Sequence, residues 1–173
     1  LAHLAGGIGD PHVRHRGTIG GSIANNDPAA DYPAAALALG ATIQTDRRAI
    51  AADNFFLGMF ETALENDEII LQISFPIPVK AAYCKFDNPV SRYALVGVFI
   101  AQFASGPRVA VTGAATAVFR QKDYEKALAG EWSTRAISGI AQSSQDLVDD
   151  IHGSAAYRAH LVNVMTRRAI EAA

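Results

Sequence analysis

Apolar positions change their rhythm along the chain. Two long runs rich in β-branched and aromatic residues, Tyr93 to Ala104 and Arg108 to Phe119, flank Ser105-Gly106-Pro107, which is the pattern of a β-hairpin. Tyr83 to Asp87 reads as another strand, Ala41 to Thr45 as a short one, and Ile69 to Phe75 as one stopped by Pro76. Helical spacing then takes over. Ile137, Ile140, Ala141, Leu147, Val148 and Ile151 recur at helical intervals, as do Leu161, Val164, Met165 and Ala169. His152-Gly153-Ser154 separates the two sets, and Ser154 has the chemistry of an N-cap for the last helix. Earlier, Pro28 to Gly40 predicts an Ala-rich helix with Pro33 near its start and Gly40 as its stop. Asp53 to Met59 predicts a short helix anchored by Phe55 and Phe56. Gly6-Gly7-Ile8-Gly9-Asp10-Pro11 is a turn cluster, Gly17 to Ser22 is a glycine loop, and Leu1 to Ala5 is too short to assign.

A meander of antiparallel strands followed by helices predicts an α+β fold rather than alternating βαβ units. The texture shifts at Phe75-Pro76-Ile77-Pro78, where two prolines stiffen the connection. The boundary placed there divides residues 1–80 from residues 81–173.

Composition narrows the function classes. Of 173 residues, 50% are apolar and 18% charged, which suits a chain with a real core and excludes disorder as its main state. The 15 Lys and Arg against 17 Asp and Glu leave a net charge of −2, so no basic excess exists to bind nucleic acid. A lone cysteine, Cys84, excludes a disulfide framework, and with no export signal it predicts a cytoplasmic location. Apolar runs such as Ala94 to Ala101 are far shorter than the roughly 20 residues of a transmembrane segment. A first residue of Leu1 rather than Met reads as a start inside a longer protein.

Thr18-Ile19-Gly20-Gly21-Ser22 is the main chemical candidate. Paired glycines let the backbone approach a ligand and take positive φ, successive N–H groups can cradle an anion, and Thr18 and Ser22 add hydroxyls. That chemistry suits a phosphate or diphosphate, although glycine pairs also serve as plain turns. The pattern is neither a P-loop nor the spaced Rossmann glycines. Asp31 either caps a helix or accepts a hydrogen bond from a ribityl or ribose hydroxyl. His12 and His15 could share a helix face, but no second ligand pair stands near them to complete a metal site. Lys85, inside a predicted strand, reads on pattern alone as an edge or solvent-facing residue.

The continuous stretch Val13-Arg14-His15-Arg16-Gly17-Thr18-Ile19-Gly20-Gly21-Ser22-Ile23-Ala24-Asn25-Asn26-Asp27-Pro28-Ala29-Ala30-Asp31-Tyr32-Pro33 resembles the FAD-binding medium subunit of molybdenum hydroxylases. That family includes carbon monoxide dehydrogenase medium chains and the flavin domain of xanthine dehydrogenase. Asp53 to Phe56, Tyr83 to Phe86, Tyr93 to Val98, His152 to Arg158 and Met165 to Ala169 carry the resemblance along nearly the whole chain. It implies the second subdomain of a two-part FAD-binding domain, followed by a C-terminal domain of about three antiparallel strands packed with helices. It also implies roles by position. Thr18, Ile19, Gly20, Gly21 and Ser22 would wrap the FAD diphosphate, and Asp31 would bond the cofactor's sugar-like chain. Ile8 and Ile70 would be apolar contacts to the flavin, and Lys85 a cation near its ring. The family's other glycine loop, of the Ala-Gly-Gly-x-Ser type, has no counterpart here, since Ala5-Gly6-Gly7 is not followed by Ser. The segments at Thr45-Asp46 and Ser105-Gly106 are short for the family.

By the same resemblance, the protein is an oxidoreductase subunit that relays electrons through FAD to an acceptor. The implied partners are a small subunit with [2Fe-2S] clusters and a large subunit with the molybdenum cofactor, assembled as a dimer of heterotrimers. Two other readings stand beside this one: an assembly module that docks the partners without binding flavin, and a different FAD enzyme of similar flavin-domain fold. The family-like tail from His152 to Ala173 speaks against the second.

Overall fold

The computed structural model describes all 173 residues and is an α+β structure. Four short helices come first: α1 (Ala2–Gly6), α2 (Pro11–Arg16), α3 (Ile19–Asn25) and α4 (Tyr32–Ala38). Next come β1 (Thr42–Thr45), β2 (Ala49–Ala51), a 3-10 turn (Ala52–Asn54), β3 (Phe56–Gly58), β4 (Glu61–Thr62) and β5 (Ile70–Ser74). The rest is β6 (Lys80–Asp87), β7 (Ala94–Phe103), β8 (Gly106–Thr112), β9 (Phe119–Arg120), α5 (Lys122–Gly130) and α6 (Ala155–Ala172). No helix is long and apolar enough to cross a membrane.

Local chemistry explains where these elements start and stop. Asp10 accepts a hydrogen bond from the His12 N–H at 2.7 Å, and Pro11 opens α2, where its missing N–H costs nothing. Gly40, at φ +62°, ends α4 by a left-handed turn in which the Ala41 N–H reaches the Ala36 carbonyl at 2.9 Å. Ser154 caps α6 through the Tyr157 N–H, as its position predicts.

β6, β7, β8 and β9 form one antiparallel sheet in that order, three long strands and a two-residue fourth. Both of its faces are apolar and buried. On one side Ala82, Cys84, Phe86, Val96, Val98, Ile100, Val109 and Val111 meet α5 and α6, through Tyr124, Leu128, Leu161 and Met165. On the other, Tyr83, Phe99, Ala101 and Ala110 meet α4 and Leu4 of α1. The first and second halves of the chain therefore share a core across this face. A smaller sheet, in the order β2, β1, β5, carries a third cluster with Ile23, Ile43 and Phe55.

Polar contacts lock the same joint. Arg108 donates to the carbonyls of Leu37 and Ala38 at the C-terminal end of α4, and its guanidinium reaches Asp53 at 2.6 Å. Arg120 bonds the other Asp53 oxygen at 3.0 Å and also pairs with Glu125. Burial alone would raise the Asp53 pKa, but the two arginines outweigh it and hold the carboxyl below its ordinary value.

Three expectations fail for identifiable reasons. The helix expected from Pro28 begins only at Tyr32. The Asp27 carboxylate turns the chain onto the Ala29 N–H, and Thr112 claims the carbonyls of Pro28 and Ala30 at 3.0 and 2.7 Å. Asp53 to Met59 is a 3-10 turn running into the β3–β4 hairpin, whose tip is held by Asn26 Nδ2 donating to Gly58 and Glu61, both at 2.8 Å. The stretch from Ile137 to Ile151 is not helical. Ser133, Ser143 and Asp150 take the nearby N–H groups of Ala136, Gln145 and His152, in competition with a helix, and Ile137 and Leu147 dock separately into the core. The helix in this half that the hydrophobic spacing misses is α5, capped by Gln121.

Gly97 in β7 has an evident reason to be glycine. A Cβ there would overlap the Tyr83 hydroxyl and stand 2.9 Å from Thr112 Cγ2. Gly97→Ala is expected to destabilise by roughly 1–3 kcal/mol in urea titration. Gly130→Ala, with no atom within 4 Å of the new carbon, should hold or gain stability. Equal midpoints for Gly97→Ala and the unaltered protein would contradict this account.

A second prediction concerns acid. Hydrogen bonds from Arg48, the Glu65 N–H and Thr45 hold Glu68 at about 2, below its ordinary 4.5. A lowered carboxylate stabilises the fold fully above its unfolded value, and that contribution is lost as pH falls through the folded value. Stability should therefore decline between about pH 4.5 and 2. Glu68→Gln should flatten that part of the curve of urea midpoint against pH.

Candidate functional site

The chain from Gly17 to Ser22 is not a free loop but the entrance to α3. Thr18 is its N-cap, with Oγ1 accepting from the Gly21 N–H and its carbonyl from the Ser22 N–H, both at 3.0 Å. The N–H groups of Ile19 and Gly20 are left without a protein acceptor at the positive end of the helix. Gly20 and Gly21 have ordinary helical backbones, so the expected positive φ is not why they are glycine. Space is the better reason. Nothing stands within 4 Å of where a Gly20 Cβ would point, and a Gly21 Cβ would meet Thr18 Oγ1 at 3.1 Å. Two glycines in a first turn weaken a helix by roughly 1 kcal/mol each against alanine, a cost that open approach to the backbone would explain.

A cavity of about 140 Å³ lies beside this helix end, lined by Ile8, Arg14, Thr18, Ser22, Asp31 and Tyr93 among others. Arg14, on the exposed α2, donates to the Ile8 carbonyl and so ties the loop before α2 to this wall. Asp31 forms the cavity's buried floor, only 5% exposed. Its carboxylate does not cap α4. It instead accepts a hydrogen bond from the Tyr83 hydroxyl, and Lys85 Nζ reaches its other oxygen at 3.3 Å. Burial pushes the Asp31 carboxyl above the usual carboxylate range, although Tyr83 and Lys85 pull against it. Burial, with the Asp31 charge beside it, pushes the Tyr83 phenol well up, so it stays a protonated donor.

Lys85 lies on an edge strand, but its ammonium does not face solvent. The side chain is 8% exposed and is shared among Asp31, Asp87 at 3.2 Å and the Arg92 carbonyl. Ile8, Thr18, Ser22 and Asp31 thus converge on one cavity, while Lys85 stands behind Asp31. Ile19, Gly20, Gly21 and Ile70 do not line it: the glycines lie in the first turn of α3 beside it, and Ile19 and Ile70 pack against the cluster around Ile43 and Phe55. Tyr83 and Tyr93 are the residues that sequence reasoning passed over. Tyr83 and Lys85 are two apart in a strand and so share a face, a signal the sequence did hold. Nothing local could connect that face to Asp31. A second cavity, of about 370 Å³, lies beyond Tyr93 toward Met59, Phe60 and Asp150, and none of the predicted residues lines it.

The sequence pattern of the FAD binding domain in molybdopterin dehydrogenase matches residues 1–78, and that of the CO dehydrogenase flavoprotein C-terminal domain matches residues 82–173. The carbon monoxide dehydrogenase medium chain of Hydrogenophaga pseudoflava is 33% identical over 189 residues, covering 100% of this chain and 66% of its own. The nicotine 6-hydroxylase medium subunit of Paenarthrobacter nicotinovorans is 36% identical over 177 residues, covering 94% of this chain and 62% of its own. Among solved structures, reconstituted CO dehydrogenase from Oligotropha carboxidovorans superimposes with a TM-score of 0.83 at 30% identity, over 95% of this chain and 63% of that one. The chain spans just under two thirds of the length of these relatives. With both sequence patterns laid end to end along it and the fold shared, the chain belongs to the family of FAD-binding medium subunits of molybdenum hydroxylases.

Proposed function

We propose that residues 1–173 form one wall of an FAD site in an electron-relaying oxidoreductase subunit. The observation that carries this reading is the meeting of Ile8, Thr18, Ser22 and Asp31 at one cavity beside an unobstructed helix entrance. A cavity of about 140 Å³ is too small for a whole dinucleotide and fits part of one. The Ile19 and Gly20 N–H groups, with the Thr18 and Ser22 hydroxyls, would hold the diphosphate, which favours a helix N-terminus. Asp31 would accept a hydroxyl of the ribityl chain, and Ile8 would lie against the flavin rings. FAD held there would supply the redox chemistry of the subunit, and the partners this reading calls for are a small subunit with iron–sulfur clusters and a large one with a molybdenum cofactor. The division into a cofactor-binding part, residues 1–80, and a C-terminal domain, residues 81–173, belongs to the same proposal.

Two measurements test it. Gly20→Val puts a side chain into open space at the entrance to α3, where it costs the fold little. In the complete subunit this variant should keep its melting temperature and lose its flavin; wild-type flavin content would sink the diphosphate assignment. Residues 1–173 alone, mixed with excess FAD and gel-filtered, should emerge folded and colourless, because each 1.4 kcal/mol of missing contact is about a tenfold loss of affinity. A yellow protein with near-stoichiometric flavin would show that this wall suffices. A complete subunit that also binds no flavin would favour the assembly-module reading.

A further inference from the structure

We infer that Tyr83 is a positioning residue for cofactor binding: its hydroxyl, from the C-terminal sheet, fixes the Asp31 carboxylate that faces the cavity. This rests on the proposed role of Asp31 as a cofactor ligand. The geometry is specific. Asp31 precedes α4, and its backbone leaves the side chain free of capping duty. Tyr83 comes from β6, 52 residues later, with its ring stacked on Phe99 at a centroid distance of 6.1 Å and its hydroxyl lying over the bare backbone of Gly97. The phenol is 8% exposed and donates to Asp31 Oδ1. Lys85 holds Oδ2. Two grips from one strand leave the carboxylate a single orientation, while each oxygen keeps a lone pair for a ligand hydroxyl. A short acidic side chain in a cavity would otherwise sample several rotamers, and binding would have to select among them.

The groups around Asp31 are Tyr83, Lys85 and Asp87 from β6 and Tyr32 from α4, and Arg14 of α2 and Tyr93 line the same cavity. Of these, Tyr83 and Lys85 favour its ionised form. Removing the phenol oxygen leaves Asp31 protonating at a higher pH. If the ionised carboxylate accepts the cofactor hydroxyl, flavin affinity falls as pH drops through the Asp31 value, and this falling edge moves upward without Tyr83.

The experiment titrates FAD into the deflavinated complete subunit carrying Tyr83→Phe, Asp31→Ala, or both. Tyr83→Phe keeps the ring and its stacking on Phe99 and removes only the hydroxyl. It is expected to weaken FAD binding roughly tenfold, the scale of a hydrogen bond to a charged group. Its pH profile should shift upward, and its effect should vanish in the Asp31→Ala background, where no side-chain acceptor remains. A Tyr83→Phe protein with unchanged or tighter affinity, or one whose loss persists in full beside Asp31→Ala, overturns the inference. Unchanged affinity in Asp31→Ala itself overturns instead the assignment of Asp31 as a ligand, and the positioning role with it. Melting temperatures of the three apo variants show whether the fold has moved: a loss of flavin that merely tracks a loss of stability counts against positioning.

Discussion

A sheet that is apolar on both faces has to be covered twice, and that requirement organises the molecule. β7 buries eight consecutive residues, so neither of its sides can meet water. α5 and α6 cover one face. They cannot reach the other, and the cover there comes from the opposite end of the chain: α4, whose residues from Pro33 to Ala38 are all buried, and Leu4 of α1. The segment between those helices carries the glycines and ends at Asp31, which meets Tyr83 and Lys85 on the edge strand of the sheet. The candidate site exists at this seam because the hydrophobic effect brings the two halves together there.

Much of this was legible in the sequence where neighbours in the chain are neighbours in space. The hairpin of β7 and β8 follows from two β-branched, aromatic runs either side of Ser105-Gly106-Pro107, and Ser154 announces α6 by capping chemistry alone. Legibility failed where a distant partner outbid local preference. Pro28 and Ala30 could have been helical had Thr112 not taken their carbonyls, and the segment after Asp53 folds as a hairpin because Asn26 reaches across to it. Ile137 to Ile151 shows the reverse error: apolar residues at helical intervals need not share one face when Ser133 just before them, Ser143 among them and Asp150 at their end capture the backbone.

The site divides along the same line. Thr18, Ser22 and Asp31 are close in sequence, and their grouping could be read directly. What holds Asp31 could not, because Tyr83 and Lys85 lie more than fifty residues away. The glycines were found for an incomplete reason: their motif drew attention to positive φ, whereas the structure gives them helical dihedrals and an unobstructed approach. Lys85 looked like an ordinary strand lysine until the fold supplied two carboxylates to surround it.

Asp53 stands between two guanidinium groups, each bonded to a different oxygen of its carboxylate. This arrangement orders the changes the sequence can accept over evolutionary time. Losing Asp53 first would leave Arg108 and Arg120 facing one another with their shared counter-charge gone. Losing Arg120 first would strip Glu125 of its main cation while Asp53 kept Arg108. Arg108 is bound further, since the end of α4 relies on it for two carbonyls. Glu125 is bound further too, since its Oε1 also accepts the buried Val109 N–H at 2.9 Å, so exchanging the Arg120–Glu125 pair would leave a strand N–H without its acceptor.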